Sequence, residues 1–239
     1  MGVQASMPKR GTAVSNTSHS PSQLIRREIK LPLQSNQYTE FLLSLVDRGI
    51  HPRRTYAPRL VHSIYLDTIE FDDYFDNVSG ISHREKIRIR WYDEKVELMA
   101  LEVKSKKNKV SGKRVIDIRN PDQIIPTSRC GLHALLRLNC SILPQALFSS
   151  YRLALEVEYV RSYFELSPHI RMTIDRKIQY RKLSPHRGLR MKRSPVDHVV
   201  EFKYPVDNEM NFRDLLRGIP FRTFRHSKYV VGMDTVTIG

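Results

Sequence analysis

The sequence predicts an α+β fold in which a many-stranded sheet carries helices against one of its faces. Seven segments alternate polar with apolar or β-branched residues at period two, and three segments repeat apolar residues at helical spacing. The polar positions of the strands are nearly all ionic, which gives the sheet one charged face and one apolar face.

Taken in order, residues 1–23 are rich in Ser, Thr, Asn, Pro and Gly, lack an acidic residue and show no periodic apolar pattern. They read as a disordered tail, and the folded domain is expected over 24–239. The opening Met1 to Ser6 formally fits an N-myristoylation pattern, but that pattern is short and Met7 is an equally good start, so lipidation is not assigned. The first helix is expected over Gln37 to Arg48, where Tyr38, Phe41, Leu42, Leu45 and Val46 share a face, Asn36 offers an N-cap oxygen and Gly49 ends the pattern. A second helix is expected within Leu132 to Phe148, broken before Pro144, and a third over Asn211 to Arg217, ahead of Gly218 and Pro220. Strands are expected at Val61 to Leu66, Lys86 to Trp91, Val96 to Lys104, Arg114 to Ile118, Arg152 to Phe164, Arg171 to Arg176 and Val199 to Tyr204.

Composition narrows the function. A chain of 239 residues buries a core without disulfide staples, and Cys130 and Cys140 have neither metal-ligand spacing nor partners enough for a disulfide framework. A reducing, cytoplasmic location is the expectation. No stretch approaches the roughly 18 to 20 apolar residues of a membrane-spanning helix. With 40 Lys and Arg against 25 Asp and Glu, the formal charge of +15 points to a polyanionic partner.

The ionic stripes locate that charge. Glu28/Lys30, Lys86/Arg88/Arg90, Glu102/Lys104, Arg171/Asp175 and Glu201/Lys203 each share one parity, opposite Ile, Val, Leu or Phe. One such stripe is an ordinary solvated face, its cross-strand pairs worth under about 1 kcal/mol each. Five stripes of one grammar favour a cavity: Arg and Lys neutralise phosphate oxygens, and Glu holds a hard cation that bridges them.

These residues resemble a known family. Ser63-Ile64-Tyr65-Leu66-Asp67-Thr68, Tyr74, Arg84 to Tyr92, Leu101-Glu102-Val103-Lys104, Tyr159 to Tyr163, Arg171 to Arg176, Glu201-Phe202-Lys203-Tyr204 and Ser227-Lys228-Tyr229 are similar, in number and order, to the VTC domain of polyphosphate polymerases. The resemblance spans about Ile25 to Gly232. It implies a triphosphate tunnel metalloenzyme: an antiparallel eight-stranded barrel, open at both ends, with helices packed outside and a charged lumen that binds a triphosphate.

Carried over by position, the resemblance makes Lys30, Arg88, Arg90, Lys104, Arg161, Arg171 and Lys228 the catalytic phosphate ligands. Lys86, Lys113, Lys203, Tyr159 and Ser227 become further substrate-binding groups. Glu201 is the metal carboxylate, with Glu28 and Glu102 as second choices, for a divalent Mn²⁺ or Mg²⁺. Neither Arg88 nor Arg90 is expected to supply core packing, and His83 and His226 are not taken as bases, since transfer onto a phosphate oxygen needs little deprotonation. The sequence departs from the Glu-x-Glu-x-Lys opening of tunnel hydrolases, because Arg26 stands at the first glutamate position. It also carries no recognisable SPX segment or membrane helices, so coupled export is not expected of this chain alone, although a separate membrane partner stays open.

The implied function is transfer of the terminal phosphate of ATP onto inorganic polyphosphate. Two alternatives stay open: a hydrolase of tripolyphosphate or nucleoside triphosphates in the same tunnel, and a non-catalytic binder of polyphosphate or RNA. A lone tryptophan and the absence of an aromatic RNA-recognition motif argue against specific nucleic-acid binding.

Overall fold

A computed structural model describes residues 26–108, 110–120, 122–139, 141, 149–184, 187–188, 190–217, 219 and 222–238. The expected N-terminal tail, Cys140, the stretch around Pro144, Gly218 and Pro220 lie outside the described residues.

One antiparallel sheet organises the chain. Its long strands are β1 (Arg26–Leu33), β2 (Arg53–Asp67), β3 (His83–Tyr92), β4 (Met99–Lys107), β5 (Val110–Ile118), β6 (Arg152–Ser167), β7 (Ile170–Ser184) and β10 (His198–Pro205), while the short β8 (Arg187–Gly188) and β9 (Lys192–Arg193) pair with β7. The hydrogen-bonded order is β1-β10-β7-β6-β2-β3-β4-β5, and β1 and β5 are not paired to each other. The sheet is nevertheless rolled. A flat sheet would hold β1 and β4 about 29 Å apart across six strand spacings of about 4.8 Å, yet Glu28 on β1 and Lys104 on β4 form an ion pair at 3.4 Å. The expected eight strands are therefore present and rolled, but the barrel is not closed by a backbone ladder: among the described residues its seam is bridged by side chains.

Alternation along the strands builds the core on the outer face. Ile64, Leu66, Ile87, Ile89, Trp91, Leu101 and Val103 pack with Leu132, Leu135 and Leu136 of α3 (Arg129–Leu138). Leu31, Leu33, Met172, Ile174, Val200, Phe202 and Tyr204 pack with Phe41 and Leu45 of α1 (Ser35–Val46) and Phe212 of α4 (Glu209–Leu215). Helix α1 begins two residues earlier than expected: Gln37 Oε1 accepts from the Gln34 amide at 2.9 Å, and Ser35 binds Asp197. Ser128 caps α3 by accepting from the Gly131 amide at 3.1 Å.

Two helices were not expected. The short α2 (Asp72–Ser79) follows β2, and α5 (Lys228–Ile238) closes the chain. Helix α5 lies against the concave face at one end of the tunnel. Tyr229 and Met233 join Val61, Tyr65, Leu155, Val157, Tyr159, Ile178, Tyr180 and Val199 in a third cluster, with Tyr65 stacked on Tyr229 at 4.9 Å. That end of the concave face is therefore filled by aromatic packing rather than open.

Gly232 permits this approach. A β-carbon there would lie 2.5 Å from Leu155 Cδ2 and 2.6 Å from Tyr180 Cδ1. Gly232→Val is expected to destabilise the protein by at least about 2 kcal/mol through overpacking, read from the urea midpoint. An unchanged midpoint would contradict the seating of α5.

Candidate functional site

The concave face carries three groups of cations, each gathered around carboxylates. The first bridges the seam. Lys30 reaches Glu28 at 2.8 Å and Glu201 at 3.6 Å and donates to the His226 carbonyl at 3.1 Å. Lys203 reaches Glu201 at 2.6 Å and Glu28 at 3.8 Å, and Lys104 adds the 3.4 Å contact to Glu28. The antiparallel register dictates this arrangement, because Glu28 lies opposite Lys203 and Lys30 opposite Glu201. Burial alone would raise the Glu28 carboxyl, and neighbouring Glu201 adds to that, yet Lys30, Lys104 and Lys203 hold it down at about 2. Burial likewise opposes ionisation of Glu201, and Lys30 and Lys203 overcome it, leaving the group well below the usual range.

Glu102 centres the second group. Arg88 binds it through Nε at 2.7 Å and Nη2 at 2.5 Å, Lys113 at 2.7 Å and Arg90 at 3.6 Å. Arg88 also donates to Tyr65 Oη at 3.0 Å, and Arg90 donates to Ser63 Oγ at 3.0 Å and Tyr159 Oη at 3.1 Å. Arg90 is only 6% exposed. The expectation that it plays no part in packing is corrected: its hydroxyl partners are buried, and its removal leaves them unsatisfied.

Asp175 centres the third. Arg161 grips it with Nε at 2.6 Å and Nη2 at 2.7 Å, and Lys228, at the start of α5, binds Oδ2 at 2.5 Å. Tyr159 lies beneath both cations, with the Arg161 guanidinium 5.2 Å and the Lys228 ammonium 4.7 Å from its ring centre. Sequence reasoning missed Asp175 as a site residue, along with Ser63, Tyr65 and Thr173. For Asp175 and Thr173 the parity of the Arg171 stripe was the available signal, whereas Ser63 and Tyr65 lie on β2, which carries no such stripe. Thr173 lies opposite Glu201, and its buried hydroxyl has no hydrogen-bond partner among the described residues.

Three expected residues stand apart from these groups. Arg171, opposite Lys203, is exposed at the rim. Ser227 uses its hydroxyl to accept from the Val230 amide at 3.4 Å, as the N-cap of α5. Lys86, opposite Lys104, has no carboxylate within ion-pair distance among the described residues. Burial, and then the charges of Lys104, Lys30, Arg84 and Arg88, push its ammonium down to about 7. His226 is buried, and burial followed by Lys228 and Lys30 pushes it down to about 3.

The concave face thus gathers Lys30, Lys86, Arg88, Arg90, Lys104, Lys113, Arg161, Arg171, Lys203 and Lys228 against Glu28, Glu102, Asp175 and Glu201. The charge excess calls for an anion with several negative oxygens along its length. For a metal, no cluster of three or more His, Cys, Asp or Glu exists among the described residues. The donor set still fits a hard divalent ion of the Mg²⁺ kind, which takes one or two carboxylates and completes its shell with phosphate oxygens and water. Glu201 and Glu28 supply that pair. Glu102 is already surrounded by Arg88, Arg90 and Lys113.

A rolled antiparallel sheet with a cation-lined concave face fits the triphosphate-tunnel fold class. Within that class the chain belongs to the VTC domain family, whose model matches residues 25–237. Its fold is similar to that of a protein from Vibrio parahaemolyticus provisionally described as an adenylate cyclase, with a TM-score of 0.50, 13% identity, and coverage of 87% of this chain and 97% of that one. A Hippeastrum protein provisionally described as an adenylyl cyclase, with a dominant triphosphatase activity, superposes with a TM-score of 0.49 and 19% identity, covering 85% of this chain and 93% of that one. At these identities the likeness concerns fold alone. No curated protein matches the sequence. Among the described residues, no helix is long and apolar enough to cross a membrane.

The carboxylate centres carry a pH prediction. Asp175, Glu28 and Glu102 are all held at about 2, against ordinary values of 3.8 for Asp and 4.5 for Glu. Each contributes stability that is full above the unfolded value and is lost as pH falls from about 4.5 through 2. Asp175→Asn strands Arg161 and Lys228 and is expected to cost about 3 kcal/mol at neutral pH while flattening the acid limb of the urea-stability profile. A loss below about 1 kcal/mol would show that Asp175 does not hold these cations.

Proposed function

We propose that this chain is a metal-dependent polyphosphate polymerase that transfers the terminal phosphate of ATP to a growing polyphosphate chain within the tunnel. One observation carries the reading: the concave face holds more cations than its carboxylates neutralise, with the Lys86 ammonium held down at about 7 by burial and then by the cations around it. An elongated polyphosphate supplies the missing negative charge at many points, which a single small anion does not.

In this reading Arg88, Arg90, Lys104, Arg161 and Lys228 exchange part of their contact with carboxylates for phosphate oxygens. Lys30 and Lys203 keep Glu28 and Glu201 ionised until substrate arrives. Glu201, aided by Glu28, would hold a divalent ion, whose chemistry would be to neutralise phosphate charge. A terminal oxygen of the acceptor chain attacks the γ-phosphorus, the bond to the β,γ-bridging oxygen breaks, and its electron pair departs with ADP. The arginines stabilise the charge spread over the transferring group without a covalent enzyme intermediate. Arg26, standing where tunnel hydrolases carry a further glutamate, favours transfer to phosphate over water-dependent hydrolysis. The same cavity would serve the hydrolase if water took the acceptor's place.

Incubation with ATP and Mn²⁺ or Mg²⁺, with and without a short polyphosphate primer, tests the reading. Lengthening chains together with ADP are expected, whereas free phosphate without chains would make the protein a tunnel hydrolase. Bound polyphosphate with neither product would make it a binding module.

Lys86 provides a separate check. Lys86→Ala is expected to weaken tripolyphosphate binding about tenfold or more, the scale of a charge-assisted hydrogen bond, and to remove the decline in affinity as pH rises through about 7. Because its folded value lies below the ordinary 10.5, wild-type stability rises with pH between those values. The variant should lose that slope without unfolding. Unchanged affinity and an unchanged pH profile would remove Lys86 from the site.

A further inference from the structure

The tunnel face accounts for phosphates but leaves unassigned an aromatic cluster at the rim opposite α5. There the Arg59 guanidinium stands 5.9 Å from the Tyr56 ring centre, 5.8 Å from Tyr92 and 5.9 Å from Tyr163, and Tyr56 meets Tyr163 edge-on at 5.8 Å. Tyr56 is 61% exposed, and Arg59, also exposed, has no carboxylate partner among the described residues. A large aromatic surface and an unneutralised guanidinium thus face solvent together.

The backbone departs from a plain ladder to build this cluster. Arg59 lies opposite Arg161, so an unbroken antiparallel register would place Ala57 opposite Tyr163. Instead the register shifts between Tyr56 and Arg59, and Tyr56 takes the place facing Tyr163. A second shift between Arg54 and Tyr56 brings Arg53 opposite Glu165. Such irregularities re-aim side chains, and here they exchange a methyl group for a phenol ring at the rim.

The cluster is continuous with the phosphate face. Arg59 is the cross-strand neighbour of Arg161, and Tyr163 lies two residues from Arg161 on the same side of β6. We propose that Tyr56, Arg59 and Tyr163 form the platform on which the nucleoside of the triphosphate donor rests while its phosphates extend past Arg161 into the tunnel. The inference rests on the reading that the donor is a nucleoside triphosphate. Stacking on tyrosine and guanidinium planes uses the face of the base rather than its edges, so the platform binds adenine and guanine alike. It distinguishes a nucleotide from inorganic tripolyphosphate, which has no base to stack.

Calorimetric titration of the wild type, Tyr56→Ala, Tyr56→Phe and Arg59→Ala with ATP, GTP and tripolyphosphate, each with Mg²⁺, tests the platform independently of turnover. Tyr56→Ala is expected to weaken ATP about tenfold, within the range of base–aromatic stacking, while tripolyphosphate affinity changes less than about twofold and Tyr56→Phe restores ATP binding. Arg59→Ala should also weaken ATP more than tripolyphosphate, and GTP should bind the wild type within about threefold of ATP. Equal losses for ATP and tripolyphosphate, or no loss of ATP in either alanine variant, would overturn the platform. If the wild type binds tripolyphosphate but the alanine substitutions leave ATP unaffected, the platform fails and the tunnel reading stands. If the wild type binds neither compound, both fall together.

Discussion

Mutual repulsion among cations on one concave surface is the constraint around which this molecule is arranged. Lysines and arginines placed on alternate strand positions point into the same rolled space, where solvent screening is reduced. Glu28 with Glu201, Glu102 and Asp175 divide that surface into three carboxylate-centred groups. Each carboxylate is shared by at least two cations, so none of the centres satisfies its positive groups fully. At Lys86 burial, and then the residual repulsion from its neighbours, depress the affinity for a proton. An incoming phosphate chain would relieve this repulsion, which couples binding to protonation without requiring a hinge or a lid.

Strand periodicity produces the site and its support together. Each inward Arg88 or Lys30 has an outward neighbour such as Ile89 or Leu31, and those neighbours pack under α3 and α1. The apolar clusters outside therefore hold the curvature that brings Glu28 to Lys104 across the seam. At the far end α5 adds Lys228 to the charged face and Tyr229 to the aromatic one. Tyr229 also donates to Asp67, whose other oxygen accepts from the Asp73 amide at the start of α2. The starts of both helices are thus fixed by one buried carboxylate, Asp67.

Much of this was legible because parity is a local property. The stripes in β1, β3, β4, β7 and β10 identified the inward residues directly, and the family resemblance ordered them into a tunnel. Helix α5 was not legible: its Val230, Val231, Thr235, Val236 and Ile238 have β-branched side chains that suit a strand, and only packing against Leu155 and Tyr180 favours the helix. Asp175 was read as part of a stripe but not as a counter-ion, because its partners Arg161 and Lys228 come from distant segments. The register shifts around Tyr56 left no sequence signal of their own, since a ladder and a bulged ladder share the same alternation over short stretches.

The central claim is that the unneutralised charge of the concave face is a binding site for a linear phosphate chain. Titration calorimetry with tripolyphosphate near neutral pH, repeated in buffers of different ionisation enthalpy, measures stoichiometry and proton exchange together. The account predicts saturable binding of one tripolyphosphate per chain with net proton uptake, because Lys86 regains its proton as phosphate arrives. Several weak sites with no proton uptake would place the positive charge on an ordinary basic surface and contradict the account.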